Sequence, residues 1–273
     1  MIGYRPIYIQ LIVVTLALTT VLLVSVLLGL TIGSSGDFST AWQSLTGRGE
    51  PDATLEVIIW QLRWPRVVLA ATVGASLALG GLVFQALLRN PLAEPYILGV
   101  SGGSAVGAIL GILAGFGFFP GLALSAFAGS LAVLLLVLLL SARKAGSSDS
   151  LLLGGVMVNA FCGAIIMFLI SISQSGQMHK IIFWLMGDLS FAYEPGRVLW
   201  LLIALAVGAT LAARHLNVLS RGELQAAIVG LPVTAFRYLI FVAASLATAF
   251  AVTSVGVIGF IGLVIPHLIR MFA

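Results

Sequence analysis

Arg63-Trp64-Pro65-Arg66 places two guanidinium groups on either side of a Trp-Pro pair, and in this chain it is the arrangement best suited to recognition chemistry. A guanidinium offers a planar fork to an anion, so the pair suits either lipid phosphates or the carboxylates of an extracytoplasmic protein. A second polar group, Ser220-Arg221-Gly222-Glu223, fits a capping box, in which serine hydroxyl and glutamate carboxylate satisfy a helix start reciprocally. The helix would run through Leu224, Ala226, Ala227 and Ile228 until Gly230 stops it, and Pro232 would open a second short helix. Two short helices lying flat beneath a membrane would form either a docking surface for a soluble partner or an inert connector.

Bond-making chemistry has little to work with. The chain holds no P-loop, no H-E-x-x-H and no acid/base cluster fit for hydrolysis. Cys162 is the lone cysteine and sits in an apolar run, which excludes disulfides and thiolate metal clusters. No metal site and no cofactor is expected. Gln85 and Asn159, the polar side chains within apolar runs, suit interhelical hydrogen bonds, and His267 after Pro266 reads as structural. Every Asp, Glu, Lys and Arg falls in a loop or near a helix end, so no mid-membrane charge is placed to bind a coupling ion. If such a chain moves a solute uphill, the energy must come from another subunit.

The elements that position these groups are set by composition. The 273 residues are 60% hydrophobic and 8% charged, with a mean hydropathy of +1.18. A soluble domain carries about 25% charged residues, so this is an all-α, polytopic membrane helix bundle forming a single transmembrane domain over residues 1–273. The net charge of +4 is scattered between apolar runs and gives no nucleic-acid signal. The first run, Ile7–Ile32, is too long for a signal-peptide core and has no A-x-A site after it. Spans are expected near Ile7–Thr31, Val67–Leu88, Tyr96–Phe116, Gly121–Leu140, Leu151–Ser173 and Val198–Ala213. The run Tyr238–Ile269 should bend at Gly256, Gly259 and Gly262 into two helices, making eight spans.

Orientation follows the Lys and Arg residues. With both termini cytoplasmic, Arg5, Arg89, Arg143, Lys144, Arg214, Arg221, Arg237 and Arg270 lie inside. Arg48, Arg63, Arg66, Lys180 and Arg197 lie outside, a bias of eight to five. The loop at about 214–237 is then the longest on the cytoplasmic side. Gly99, Gly103, Gly107, Gly111 and Gly115 recur every four residues, forming a stripe on which another helix can pack closely, and Ala70, Gly74 and Ala78 should do the same one helix earlier. The polar break Arg89–Gly99, with Pro91, Glu94 and Pro95, is expected to be a structural junction at the cytoplasmic side.

These segments together resemble the permease subunits of ABC importers for iron-siderophore, haem and cobalamin, the FecCD-like family. The resemblance is carried by Arg63-Trp64-Pro65-Arg66, Gln85 through Pro95, Leu98 through Gly103, Trp184 through Gly187, Gly222-Glu223 through Gly230, and Gly256 through His267, in family order over nearly the whole chain. It implies a homodimeric permease in a bacterial inner membrane, with ten helices in the family against the eight read here. The transported solute would be an iron-siderophore or a related metal chelate. A cytoplasmic ATP-binding subunit would drive transport and an extracytoplasmic binding protein would deliver the substrate. By the same resemblance, Gly222, Glu223, Ala226 and Gly230 couple to the ATPase, Arg63 and Arg66 pair with acids of the binding protein, and Ser148 and Asp149 belong to the cytoplasmic gate. Two other readings stand beside it: a truncated permease that only assembles with partners, and an ion-coupled secondary transporter.

Overall fold

In lipid, every backbone N–H and C=O must be satisfied within the protein, and a helix does this inside one segment. The computed structural model describes residues 7–33, 38–46, 53–142, 147–190 and 195–272, and there the chain is helical with no strand. Helix α1 is Ile7–Thr31 and α2 is the short Phe38–Thr46. A single long rod follows: α3, Ala53–Val57, passes through a wide π turn at Ile58–Arg63 into α4, Trp64–Leu88. Pro65 explains the wide turn. It has no N–H and its ring crowds the preceding turn, and the ladder shifts locally so that the Trp64 N–H reaches back to the Ile59 carbonyl.

Helices α5 (Val100–Leu113), α6 (Ala123–Ala142), α7 (Ser148–Ile172) and α8 (Ser175–Met186) follow. Then come α9 (Pro195–Ser220), the six-residue α10 (Glu223–Ile228), α11 (Val233–Val255) and α12 (Ile261–Phe272). Six of the described helical segments are long and apolar enough to cross a membrane: α1, the α3–α4 rod, α6, α7, α9 and α11. The count of eight full spans is not confirmed. Helix α5 has 14 residues and α12 has 12, lengths of about 21 and 18 Å at 1.5 Å per residue, against a hydrocarbon core of about 30 Å. The bend expected around Gly256 is present, between α11 and α12.

Why α5 is short is visible in its approach. Gly99 packs against Val133, Gly155 and Asn159, and Gly155 lies two turns inside α7, about 10 Å from its start. Residues 90–99 therefore enter the bundle as irregular backbone before the helix begins. Non-helical backbone at that depth is tolerated only where protein covers it, and Ala93, Glu94, Pro95, Leu98 and Gly99 are all buried. At φ +85°, Gly99 takes a left-handed conformation that a residue with a Cβ rarely adopts.

Helix α4 is the hub, packing against α9, α11 and α12, while α5 packs chiefly on α6 and α7. The main core gathers Phe84, Leu87, Leu151, Leu219 and Phe241 from four of these helices. Phe84 and Phe241 meet edge to face at 5.6 Å. Within the expected glycine stripe, a methyl on Gly103 would meet the Gly129 carbonyl and Val133, and one on Gly107 would overlap the Ser125 carbonyl; Gly115 lies beyond the end of α5 with nothing within 4 Å of its methyl. The stripe on α4 is corrected. Nothing lies within 4 Å of a methyl on Gly74 and Ala70 is exposed; the close crossing on that helix is at Gly81, against Gly262 of α12. Of the charges used for orientation, Arg5, Arg48, Arg143 and Lys144 lie outside the described residues.

Candidate functional site

The end of the bundle that carries α10 brings together three segments distant in sequence. Helix α4 stops at Leu88, and Arg89 caps it in a left-handed conformation with φ +51°. Its guanidinium donates from Nη2 to Glu223 Oε1 at 3.1 Å. The same carboxylate oxygen lies 2.7 Å from Nη2 of Arg237, on the second turn of α11. Arg237 is only 2% exposed and is the largest fully buried side chain described. A buried guanidinium needs a carboxylate to offset its desolvation, and Glu223 supplies one. Helix α10 is therefore clamped to α4 on one side and α11 on the other.

The rest of α10 divides by face. Ala226 is fully buried in the main core, whereas Leu224, Ile228 and Val229 are 68–76% exposed. Gly230, at φ +83°, ends the helix as expected. Two expectations fail here. Ser220 is the last residue of α9, its hydroxyl bonds to the Asn217 carbonyl, and the N-cap of α10 is Gly222 with no side-chain cap, so there is no capping box. Pro232 opens not a second short helix but the long α11, because Val233 onward is apolar enough to cross. The connector is thus residues 221–232 rather than 214–237, with one short helix in it.

Ser148 and Asp149 open α7 at the same end. The Ser148 hydroxyl is buried and donates to the Leu87 carbonyl at 3.4 Å, while Asp149 is exposed in the first turn. Ser147 caps that helix by accepting from the Ser150 N–H at 3.2 Å, a cap the sequence reading passed over. The Glu223 cluster and the start of α7 thus both join the end of α4. Gln85 proves to be an interhelical bridge: Nε2 donates to the Gly262 carbonyl at 3.2 Å, and Oε1 accepts from Arg270.

At the opposite end the two arginines part ways. Arg63 is 8% exposed and donates from Nη1 to the Leu30 carbonyl at 2.8 Å, holding the C-terminal turn of α1. Arg66, one turn on, is exposed. Helix α1 is otherwise exposed along most of its length, with only its last turns against the bundle. Arg63→Ala is therefore expected to free the Leu30 carbonyl and loosen α1, at a cost of about 1–3 kcal/mol. Faster proteolysis between α1 and α4 in detergent, relative to the parent, is the check. A cavity of about 560 Å³ lies against α8, lined by Phe116, Phe183 and Trp184 with His179, Lys180 and Asp188.

Among the described residues, no group of three or more His, Cys, Asp or Glu side chains converges in a way that could hold a metal.

Comparison with known proteins agrees with this architecture. Residues 21–273 match the sequence model of the FecCD transport family. A vitamin B12 import system permease protein, BtuC, of Salmonella schwarzengrund (strain CVM19633) is 40% identical over 261 residues, covering 94% of this chain and 77% of that one. The protein of the same description from Klebsiella pneumoniae subsp. pneumoniae is 39% identical over 259 residues, with 93% and 75% covered. A solved structure described as an inward-facing metal-chelate type ABC transporter superposes with a TM-score of 0.78 at 32% identity, over 94% of this chain and 80% of that chain.

Proposed function

The chain belongs to the FecCD transport family, and on that premise we propose that it is the membrane permease subunit of an ATP-driven importer for a large metal chelate. The observation that carries this reading is α10: a short helix clamped by Glu223, with Leu224, Ile228 and Val229 standing out from the bundle. An exposed apolar patch on a connector too short to fold alone suits a partner's groove. We take that partner to be a cytoplasmic ATP-binding subunit, with Gly222, Glu223, Ala226 and Gly230 shaping the contact. This places α10 in the cytoplasm, and the termini of the chain with it. The chain itself is not an enzyme in this scheme; hydrolysis belongs to the partner.

Substrate arrives at the other end from an extracytoplasmic binding protein. Arg66 is the exposed arginine there and suits an acidic partner, while Arg63 is occupied with α1. Ser148 and Asp149 stand where α7 meets the end of α4, in keeping with a gate on the cytoplasmic side. A second copy of the chain would complete the path, with α7 lining it; the exposed Met157, Phe161 and Phe168 of α7 fit that placement. The sequence pointed to an iron-siderophore, and the names of the relatives point to vitamin B12. Both are bulky metal chelates, and the walls described carry no group that selects between them.

The test is reconstitution in liposomes with the cognate ATPase and binding protein, offering cyanocobalamin and a ferric siderophore separately. Uptake of one or both that requires ATP supports the reading; ATP-independent uptake, or no association with the ATPase, sinks it. Arg66→Glu is expected to weaken binding-protein docking about tenfold through like-charge repulsion, with folding unchanged. Titration of the binding protein onto the reconstituted permease measures it.

A further inference from the structure

We propose that Arg89 and Glu223 form a transmission link, by which movement of α10 is passed to the irregular segment 90–99 inside the bundle. The inference rests on the coupling role given to α10 above and adds a route. Glu223 Oε1 has two cationic partners of different character. Arg237 is 2% exposed and sits within α11, so it is a fixed anchor about which the carboxylate can swing. Arg89 is 40% exposed and is attached to the end of α4, so it is the arm that can follow.

Beyond Arg89 the contacts are continuous. The Arg89 N–H is held by the Gln85 carbonyl, and its left-handed backbone is a strained conformation for a residue with a Cβ. Asn90 then stiffens the turn, accepting from the Leu92 N–H at 2.9 Å on its side chain and from the Ala93 N–H at 3.1 Å on its carbonyl. At the far end of the segment, Glu94 is buried. Pro95 lies against Gly262, and Gly99 against Gly155 of α7. Segment 90–99 is thus a stiff strut between Arg89 and the starts of α5 and α12, seated against α7. A push on α10 that swings Glu223 moves the near end of that strut, and packed interiors transmit such a shift rather than absorb it.

The experiment follows the strut itself and needs no knowledge of the cargo. Leu92 and Leu139 are 64% and 68% exposed; each is replaced by cysteine and spin-labelled, with the buried Cys162 left unlabelled. In the complex reconstituted with its ATPase, the distance between the labels is read with and without ATP plus vanadate. In the parent chain the distance is expected to shift with nucleotide. In Arg89→Gln the shift should shrink about threefold or more, the weight of a partly exposed ion pair, while ATPase association and basal hydrolysis persist. Arg89→Lys, which keeps the charge, should recover most of it. An unchanged shift in Arg89→Gln overturns the link, as does a parent chain whose segment stays still. Loss of ATPase association in Arg89→Gln also overturns it, making Arg89 a docking contact instead. If the parent chain itself binds no ATPase, the function proposed above falls first, and the link with it.

Discussion

Gly107→Ala is expected to destabilise the bundle by about 3 kcal/mol, at the upper end of what overpacking costs. The added methyl would overlap the Ser125 carbonyl and crowd Gly129, both backbone of the facing helix. A side chain could rotate away, but a carbonyl moves only with its helix. The α5–α6 pair would have to separate, and with it go the dispersion contacts that hold helices together where lipid offers no hydrophobic drive. Gly74→Ala is the control. No atom lies within 4 Å of its methyl, so relief of glycine's helix penalty, up to about 1 kcal/mol, should leave it neutral or slightly stabilised. Unfolding by SDS titration in mixed micelles measures both. Equal effects of the two substitutions would refute the packing argument.

The second large effect is expected at Arg237. Arg237→Ala removes the largest fully buried side chain and one of the two cations that hold Glu223. A cavity and a broken, largely buried ion pair together should cost about 3 kcal/mol, the low end for such pairs because Glu223 keeps part of its exposure. Arg237→Met fills most of the volume without the charge, so it separates the two causes. If packing dominates, Met recovers most of the stability; if the pair dominates, it recovers little. In either case α10 loses its anchor on α11, and ATPase association should weaken alongside stability. The same SDS titration, with pull-down of the ATPase, reads both.

What the sequence made legible was long-range periodicity and composition. Helix α1 is bounded as expected, and α6, α7, α9 and α11 follow the apolar runs to within a few residues on most sides. The stripe from Gly103 to Gly111 announced a close crossing, though not its partner, since Ser125 and Gly129 are too few to stand out. The failures share a cause. Hydropathy reads Tyr96–Phe116 as one crossing because apolar backbone looks alike whether it is helical or not; Pro91 and Pro95 were the only sign that the segment enters unwound. The capping box at Ser220 obeyed local rules, but α9 simply continued through it. In sequence Arg237 looks like a loop charge, because nothing nearby tells that Glu223 folds back over it. The bond from Arg63 to Leu30 is hidden for the same reason: the two are 33 positions apart.

The buried contact of Pro95 with Gly262 of α12 has a consequence for how the chain enters the membrane during synthesis. Neither short helix presents a full apolar crossing, and the unwound stretch before α5 is covered in part by α12, through Pro95 against Gly262. A translocon releasing segments sideways into lipid one by one would strand the first unwound stretch without its cover. Helix α5 must therefore wait, sheltered beside α6 and α7, until the chain as far as α12 has emerged and can pack on Pro95. The two half-crossings of this bundle seat together, and the later one completes the earlier.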